Sequence, residues 1–345
     1  MADEAPTLLA IETSCDETAA AALRGTGEIL AEVVFSQIAQ HAPHGGVVPE
    51  IASRSHLEAL PALLAEITFR SGIRAGGFDA YAATVGPGLA PALLVGASAA
   101  RGLAAGARKP FHPINHLEGH LLSPFFGQPK IPPHVALVVS GGHTLLFDVA
   151  GFRQYEALGR TLDDAAGEAF DKVAKMLDLG YPGGIAIERA AAGGDPAAIP
   201  FPRALLDSPT CDFSFSGLKT AVRTFLAKDR GATPTFDICA SFQEAVVETL
   251  ATKLLRATRA RGRNLATLSG GVSSNSRLAA FAGRLLARNG ISLQIAPSRL
   301  RTDNALMVAY VASLELAAGL EPAVTCDISP NYSPETFPSF AQRGT

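Results

Sequence analysis

Two histidines spaced four residues apart are the clearest candidates for chemistry in this sequence. Residues 116–120 read His-Leu-Glu-Gly-His. On a helix this spacing stacks the imidazoles of His116 and His120 on one face, where both can bind one cation. Because the chain has 8 histidines, such a pair can also arise by chance. Two surface or helix-capping histidines are therefore the alternative.

A metalloprotease of the zincin type shares the i, i+4 spacing of its histidines, but its general base is a glutamate at i+1. Here that position is Leu117, and Glu118 lies at i+2, roughly 200° around a helix from His116. A carboxylate there cannot easily lean over a metal ion held by both histidines. The spacing therefore disfavours a protease.

A third metal ligand has to come from elsewhere in the chain, and Asp303 is the best candidate. It lies in the segment Arg-Thr-Asp-Asn at 301–304, immediately before a predicted helix. Two imidazoles and one carboxylate leave open positions on Fe(II), Zn(II) or Mn(II), and the ligand types do not choose among these ions. The alternative is that Asp303 is simply the N-cap of the helix.

The elements that must position these residues occur in two similar halves. Near the start, an apolar run leads into a polar turn at 12–18 and a second apolar run, which predicts a β-hairpin. The same pattern recurs around Ser-Gly-Gly-His-Thr at 140–144. Between the halves lies a proline-rich segment, which places a domain boundary near residue 132.

Helical and strand patterns alternate in each half, which predicts an α/β or α+β arrangement. Helices are predicted over 50–71, 91–107, 162–179, 237–261 and 305–316, and buried strands over 79–85 and 265–268. The second of these strands leads into a Gly-Gly turn and another helix, a combination that favours phosphate binding at the helix N-terminus.

The predicted helix 162–179 has one apolar stripe that begins at Leu162. Asp164, Glu168 and Asp171 fall at i, i+4 and i+7 and form an acidic face. That face is either simply solvated or suited to accept hydrogen bonds from ribose hydroxyls. Because clustered carboxylates repel, we expect one of them to be protonated or partnered by a lysine, Lys172 or Lys175.

Composition limits the class of protein. The 345 residues correspond to about two domains, and 48% hydrophobic with 18% charged residues argues against disorder. The four cysteines show no CxxC spacing, the N-terminus is acidic, and the most apolar stretch, 89–100, is too short for a bilayer. We therefore expect a cytoplasmic protein with no membrane association.

Net charge gives no sign of nucleic-acid binding, because the formal value is −3. The densest basic run contains four arginines, at positions 256, 259, 261 and 263. These arginines either contact nucleic acid or complement the C-terminal end of the helix predicted over 237–261.

Ten motifs occur in the same order as in one known family. They are IETSCDET (11–18), GGVVPE (45–50), GPGL (86–89), HLEGH (116–120), SGGHT (140–144), DDAAGEAFDK (163–172), YPGG (181–184), SFSGLK (214–219), GGVSSN (270–275) and TDN (302–304). The chain thus resembles the TsaD family, bacterial tRNA adenosine threonylcarbamoyltransferases that were once labelled glycoproteases. The resemblance covers roughly residues 8–335.

The resemblance implies an α/β fold of two ribonuclease-H-like domains, as in the actin, sugar-kinase and heat-shock-chaperone superfamily, with a nucleotide and metal cleft between them. On this basis residues 1–132 are expected to form an N-terminal domain and 133–309 a C-terminal domain. A tail from about 310 to 345 is expected to pack back on the N-terminal domain.

The resemblance also implies an activity. The threonylcarbamoyl group of threonylcarbamoyl-AMP would pass to the N6 amine of the adenosine 3′ of the anticodon, in tRNAs that read codons beginning with A, and AMP would leave. One iron(II) ion per subunit would be held by His116, His120 and Asp303, with zinc or manganese as substitutes in vitro. A TsaB-like dimerising paralogue and a TsaE-like ATPase are the implied protein partners.

Substrate contacts carry over from the family to nine positions: Val138, Val139, Ser140, Gly141, Gly142, Asp171, Gly184, Glu188 and Asn275. Glu188 stands where many relatives carry Asp, so we expect its longer side chain to reach the ribose differently or not at all. Glu12 and Asp16 are expected near the site, and either could accept the proton of the attacking amine. Cys15 beside them is interpreted as a small residue filling a tight turn, with a nucleophile as the alternative.

Two other functional classes remain as alternatives. A small-molecule kinase or ATPase of the actin-like superfamily would use the nucleotide-binding turns but leaves the histidine pair unexplained. A non-catalytic paralogue would be expected to have lost the metal ligands.

Overall fold

The computed structural model describes residues 5–229, 231–320, 322 and 326–337. These residues form two units. Unit 1 contains those up to Ile131 together with those from Asp303 onward, and unit 2 is Pro132–Thr302. The first change of unit lies beside the position that the prolines indicate. The return to unit 1 comes at Asp303, several residues before the expected position near 310.

Unit 1 begins with the predicted hairpin and alternates strands with helices thereafter. Its elements are β1 (Thr7–Glu12), β2 (Glu17–Arg24), β3 (Glu28–Ser36), α1 (Ile38–His41), α2 (Pro49–Ser71), β4 (Ala80–Gly86), α3 (Ala90–Ala107), β5 (Phe111–Asn115) and α4 (His116–Leu122). The strand order is β3-β2-β1-β4-β5. The hairpin strands β1, β2 and β3 are antiparallel, whereas β4 and β5 run parallel to β1.

One face of this sheet is covered by α2 and α3. Leu9 and Tyr81, which are paired across β1 and β4, pack with Leu63 and Ile67 of α2 and with Ala104 of α3. Alternate strand residues reach this core because side chains of a strand point to opposite faces.

Unit 2 has the same plan. Its elements are β6 (His134–Val139), β7 (Thr144–Gly151), β8 (Gln154–Arg160), α5 (Ala166–Met176), α6 (Gly183–Ala190), α7 (Ser216–Asp229), α8 (Thr235–Ala260), β9 (Leu265–Ser269), α9 (Ser276–Ala287) and β10 (Ser292–Ile295). The strand order β10-β9-β6-β7-β8 repeats the order in unit 1, again with three antiparallel and two parallel strands. The prediction of two ribonuclease-H-like domains is confirmed.

A single large core fills unit 2. Val135, Leu137 and Val139, alternate residues of β6, pack with Phe170 of α5 and Phe242 of α8. The two phenylalanine rings meet edge to face, with centroids 5.2 Å apart. This geometry is the favourable one for an aromatic pair.

The last helix, α10 (Ala305–Ala317), belongs to unit 1. Every residue from Ala305 to Glu315 is buried, because α10 packs on β1, β2 and β4 and against α4. The segment that follows α10 also contacts unit 1. The N–H of Ser329 donates to the carbonyl of Val85 over 2.9 Å, and Asn115 Nδ2 donates to the carbonyl of Tyr332 over 3.3 Å.

The helix predicted over 162–179 is wrong at both ends, since α5 covers only Ala166–Met176. Leu162, which was assigned to its apolar stripe, is 63% exposed. The preceding residues are held in a turn by hydrogen bonds to a distant segment, which a helical pattern cannot reveal.

One helix in the described part of the chain, α3, has the length and mean hydropathy of a membrane span, with a third of it buried. Its buried face, which includes Leu93, Ala97 and Ala100, packs on the sheet of unit 1. Core helices of this kind meet the same criterion, so the finding is weak evidence for a membrane span.

Candidate active site

The three predicted metal ligands come together in unit 1. Asn115, the residue before α4, accepts hydrogen bonds from the first N–H groups of the helix, so α4 starts at His116 and stacks His120 above it. The ring centroids lie 4.8 Å apart with perpendicular planes. Asp303 Oδ1 is 3.4 Å from His116 Nε2 and 3.0 Å from His120 Nε2. These three ligand atoms could hold one metal ion.

Asp303 does not cap α10. The N-cap is Asn304, whose Oδ1 accepts a hydrogen bond from the N–H of Met307 over 2.9 Å. The capping alternative for Asp303 is therefore wrong, and its carboxylate faces the histidines instead.

Glu12, at the end of β1, orients His116. Its Oε2 lies 3.1 Å from His116 Nδ1 and accepts a hydrogen bond from Thr84 Oγ1 over 2.6 Å, while Oε1 accepts the N–H of Ser14 over 2.5 Å. A carboxylate at Nδ1 holds a ring proton there, so Nε2 is the nitrogen that a metal ion would contact. Glu12 is fully buried, so these contacts fix the ring.

A neighbouring charge explains why the buried Glu12 carboxylate is ionised. Burial acts to raise the pKa of Glu12, but the charge of His116 and its hydrogen bond outweigh burial and lower the pKa. Burial acts to lower the pKa of His116, and the charges of Asp303 and Glu12 reverse this and raise it to about 9. Glu12 is thus an ionised partner of His116.

Asp16 and Glu17 extend the cluster. Carboxylate oxygens of these two residues and of Asp303 lie within 4.8 Å of one another. Burial, followed by the charges of Asp303 and Asp16, raises the pKa of Glu17 to about 10. Sequence reasoning selected Asp16 and missed Glu17, although the adjacent acidic pair was visible in the turn.

The turn that carries Asp16 is tightly enclosed. The N–H of Leu89 donates to the carbonyl of Ser14 over 2.8 Å, and a Cβ on Gly88 would lie 2.6 Å from that oxygen. Glycine is therefore required at position 88. Burial, with the nearby charge of Asp16, raises the pKa of the Cys15 thiol well above its usual value. A protonated, enclosed thiol fits the turn-filling interpretation of Cys15.

The corresponding turn of unit 2 is open. The N–H of Ser140 donates to the carbonyl of His143 over 2.8 Å, and the N–H of His143 donates to Ser140 Oγ over 3.2 Å. Gly141 and Gly142 are exposed, and a Cβ on either would meet nothing within 4 Å. A phosphate or carboxylate can therefore approach the main chain of these two residues.

Val138 and Val139 complete β6 before this turn and are fully buried. The Val139 side chain packs in the core of unit 2 and the Val138 side chain points to the opposite face of the sheet. The carbonyl of Val139 lies 2.4 Å from the position of a Cβ on Gly270. Any contact of these two valines with a ligand would therefore be made by the main chain.

The other predicted substrate residues connect the helices of unit 2. Asp171 Oδ1 accepts the N–H of Gly183 over 2.7 Å at the start of α6, and a Cβ on the next residue, Gly184, would meet open space. Glu188 Oε1 accepts from the N–H and Oγ of Ser276 over 2.8 and 2.5 Å. Asp171 thus connects α5 to the start of α6, and Glu188 connects α6 to the start of α9.

Asn275 is the N-cap of α9. Its Oδ1 accepts the N–H of Leu278 over 2.9 Å, and its Nδ2 donates to Gln243 Oε1 over 2.7 Å. The side chain is 6% exposed, so its first role in this structure is to begin α9.

Two acidic residues that precede α5 bind the SFSGLK segment. Asp163 accepts the N–H groups of Phe215 and Ser216 over 2.8 and 3.1 Å. Asp164 accepts from Lys172 and Lys219, each over 2.8 Å. Burial acts to raise the pKa of Asp164, but the two lysines lower it. The acidic face is therefore partnered by Lys172, one of the two lysines proposed.

Three of the four clustered arginines are engaged within unit 2. Arg256 donates to the carbonyls of Leu206 and Ser208, Arg261 pairs with Glu156, and Arg263 binds Asp148 with two hydrogen bonds of 2.8 and 3.0 Å. These contacts involve loops and strands rather than the C-terminal end of α8. These three arginines are therefore not an unpaired basic patch. Arg259 lies in the last turn of α8, where it complements the helix end.

Sequence comparison identifies the family of the chain. A family model described as TsaD, tRNA N6-adenosine threonylcarbamoyltransferase, matches residues 28–310. A protein of that name from Geobacter sp. (strain M21) is 48% identical over 328 residues, which cover 94% of this chain and 95% of the relative. One from Anaeromyxobacter dehalogenans (strain 2CP-C) is 50% identical and covers 90% and 95%.

Solved structures with low sequence identity share the fold. HypF from T. kodakarensis aligns with a TM-score of 0.62 at 15% identity, over 92% of this chain and 48% of HypF. The activator of the 2-hydroxyisocaproyl-CoA dehydratase from Clostridium difficile aligns with a TM-score of 0.51 at 14% identity, over 91% and 96%. With the fold, the ligand cluster and the near full-length sequence matches in agreement, the chain belongs to the TsaD family of tRNA N6-adenosine threonylcarbamoyltransferases.

Proposed function

We propose that this chain transfers the threonylcarbamoyl group of threonylcarbamoyl-AMP to the N6 amine of the adenosine 3′ of the anticodon, in tRNAs that read codons beginning with A, and releases AMP. The observation that carries the proposal is the convergence of two imidazoles and one carboxylate in a chain that matches the named relatives over 90–94% of its length. A small-molecule kinase would have no use for this cluster.

His116, His120 and Asp303 fit a divalent ion. Their ligand atoms already converge, and Glu12 holds the proton of His116 on the nitrogen that faces away from Asp303. Such an ion, when bound, supplies a Lewis acid that polarises the carbamoyl carbonyl. We propose iron(II), one per chain, and metal-dependent activity.

Unit 2 supplies the residues proposed to bind the AMP portion of the donor. The exposed main chain of Gly141 and Gly142 suits a phosphate, and the hydroxyl of Ser140 adds a donor. Gly184 leaves open space at the start of α6, beside Asp171. We assign Val138 and Val139 to main-chain contacts, and Glu188 and Asn275 to holding the start of α9.

The chemical step joins the amine nitrogen to the carbamoyl carbon and breaks the bond from that carbon to the phosphate oxygen of AMP. The electron pair of the broken bond leaves with AMP, which is already a good leaving group, so no covalent enzyme intermediate is needed. The amine must lose one proton. We propose Asp16 as its acceptor, because Glu12 is already held by Ser14, Thr84 and His116.

The tRNA surface and the protein partners belong to the same proposal. The net charge is −3, and three clustered arginines are engaged inside unit 2. A chain with this charge would benefit from help in holding tRNA. We therefore propose a TsaB-like paralogue and a TsaE-like ATPase as partners, with the reaction in the cytoplasm.

The test is transfer of labelled threonine carbon to unmodified tRNA. The assay contains the chain, a threonylcarbamoyl-AMP synthase, iron(II) and both proposed helpers. We expect label on tRNA with the wild-type chain and none with His116→Ala or Asp303→Ala. Wild-type chain without transfer, in the presence of metal and helpers, would overturn the proposal and revive the kinase alternative.

A further inference from the structure

Two buried histidines of unit 1 have no part in the proposed reaction. His41, at the end of α1, and His56, in α2, are fully buried, and Gln37 lies between them, also fully buried. His41 Nε2 is 3.1 Å from Gln37 Oε1, and Gln37 Nε2 is 3.2 Å from His56 Nδ1. The three side chains thus form one continuous hydrogen-bonded chain.

The ends of this chain determine its direction. At one end the N–H of Val48 donates to His41 Nδ1 over 3.3 Å; a main-chain N–H can only donate, so that nitrogen is bare. At the other end His56 Nε2 lies 3.0 Å from the carbonyl of Cys15, which can only accept, so His56 Nε2 carries a proton.

One arrangement of protons satisfies every contact between these ends. His41 donates through Nε2 to Gln37 Oε1, and Gln37 donates through Nε2 to His56 Nδ1, which also accepts from Thr18 Oγ1 over 2.8 Å. Both imidazoles are then neutral with the proton on Nε2. Burial lowers the pKa of both histidines, in agreement with the neutral form.

The hydrogen-bonded series of His41, Gln37 and His56 ends at the peptide groups around Asp16. His56 holds the carbonyl of Cys15, and the main-chain N–H of Gln37 donates to the carbonyl of Asp16 itself over 3.0 Å. Two successive carbonyls are therefore fixed by residues that lie more than twenty positions later in the chain. The Asp16 carboxylate, held within 4.8 Å of that of Asp303, has its main chain fixed on both sides.

We propose that His56 is a positioning residue, which through its Nε2–H donor holds the main chain of Cys15 and Asp16 so that the Asp16 carboxylate faces the reacting amine. The proposal rests on the proposed function, because it gives Asp16 the proton of that amine. Gln37 and His41 extend the same support to the segment around Val48, within the GGVVPE motif. The motif thereby gains a role in keeping His56 in one tautomer.

The test compares two substitutions of the same residue. In His56→Asn the amide occupies the position of Nδ1 and loses the donor to Cys15, whereas in His56→Gln the amide reaches the position of Nε2 and retains that donor. We expect His56→Asn to lower kcat roughly ten- to a hundredfold, because a misplaced catalytic group costs that much. KM for tRNA should stay within about twofold, and His56→Gln should recover most of the loss.

The exposed His44→Asn in the same segment is the control, with kcat expected near the wild-type value. Equal losses in His56→Asn and His56→Gln, in proportion to a lower thermal unfolding temperature, would overturn the positioning role. So would an unchanged kcat in His56→Asn.

A second measurement does not depend on activity or on the variants folding. Nitrogen-15 spectra of histidine-labelled wild-type protein at neutral pH should show protonated Nε2 and bare Nδ1 for both His41 and His56. A proton on Nδ1 of either ring would contradict the proposed direction of these hydrogen bonds. Correct tautomers in a wild-type protein without transfer activity would instead count against the proposed function.

Discussion

The first hairpin turn of unit 1 and the first hairpin turn of unit 2 occupy the same place in the same strand order, but one is enclosed and the other is open. In unit 1 the turn between β1 and β2 is enclosed: carbonyls of Ser14, Cys15 and Asp16 all accept hydrogen bonds from other segments. In unit 2 the turn between β6 and β7 is closed by two hydrogen bonds between Ser140 and His143, and its two glycines are exposed. The repeated frame thus supports two different kinds of chemistry.

The two copies of a duplicated fold can therefore be suited to different ligands. A metal site needs side chains held within fractions of an ångström, so the residues of the first turn are fixed by their neighbours. A phosphate site needs main-chain N–H groups that a ligand can reach, so the second turn carries glycine and little cover. Substitutions in one unit, measured against the properties of the other, test this division.

The largest effect is expected at the ligand cluster of unit 1. His120→Ala or Asp303→Ala should lower transfer to tRNA about a thousandfold or more, because the Lewis acid is lost. Bound metal, measured by mass spectrometry, should fall well below one ion per chain. Binding of AMP, assigned to unit 2, should change less than about twofold.

The exposed Glu58→Ala on α2 serves as the matched acidic control and should retain both metal and transfer activity. Full metal content in His120→Ala and Asp303→Ala would contradict the assignment of these residues as ligands.

A charge placed in the open turn of unit 2 should have the next largest effect. In Gly142→Asp the new carboxylate would stand among the N–H groups proposed to bind phosphate, so AMP affinity should fall at least about tenfold by like-charge repulsion. Calorimetric titration with AMP measures this. Metal content should remain at the wild-type value. An unchanged AMP affinity would show that this turn does not bind the phosphate.

Replacing a glycine by alanine should affect the free energy of unfolding differently in the two turns. Gly88→Ala should lower the free energy of unfolding by about 2 kcal/mol, because its Cβ would meet the carbonyl oxygen of Ser14 at 2.6 Å. Gly142→Ala should stay within about 0.5 kcal/mol, since its Cβ meets nothing within 4 Å. Urea unfolding checks the pair, and equal effects would show that the turns do not differ in packing.

The smallest effect concerns the anchor of the SFSGLK segment. Asp164→Asn should lower the stability of unit 2 by about 1 kcal/mol, because Lys172 and Lys219 lose their shared charged partner. The depressed pKa of Asp164 gives the sign of the pH dependence. The contribution is present above the ordinary carboxyl pKa and is lost as pH falls through the lower folded value, so wild type and variant should converge in acid.

High salt should also reduce this difference, since the pair is partly exposed. A loss of stability that is independent of both pH and salt would assign the effect to packing instead.

Local patterns were enough to predict most of the fold. The hairpins and helices come from runs of neighbouring residues, so the predicted 50–71 agrees closely with α2 at Pro49–Ser71. The return to unit 1 at Asp303 was placed late because α10 is apolar on all sides. A helix without a polar face gives no indication of which sheet it covers.

The site was predictable where one short motif contains it and not where distant residues complete it. His116 and His120 lie on one helical turn, and Asp303 was a candidate from its place before a predicted helix, which the family resemblance also implied. Glu12 as partner of His116 spans 104 positions, and Asp148 as partner of Arg263 spans 115. Pairs at such separations leave no periodic signal, so the arginines resembled a free basic patch until their partners were placed.

The return of the chain to unit 1 at Asp303 also sets an order of events during synthesis. Chains fold as they leave the ribosome, N-terminal segments first. The two histidines emerge early, but their carboxylate partner is made only after all of unit 2. A nascent chain that stops before Asp303 therefore carries two ligands without the third and lacks the helix that covers β1, β2 and β4. The three proposed metal ligands are therefore complete only after the whole of unit 2 has been synthesised.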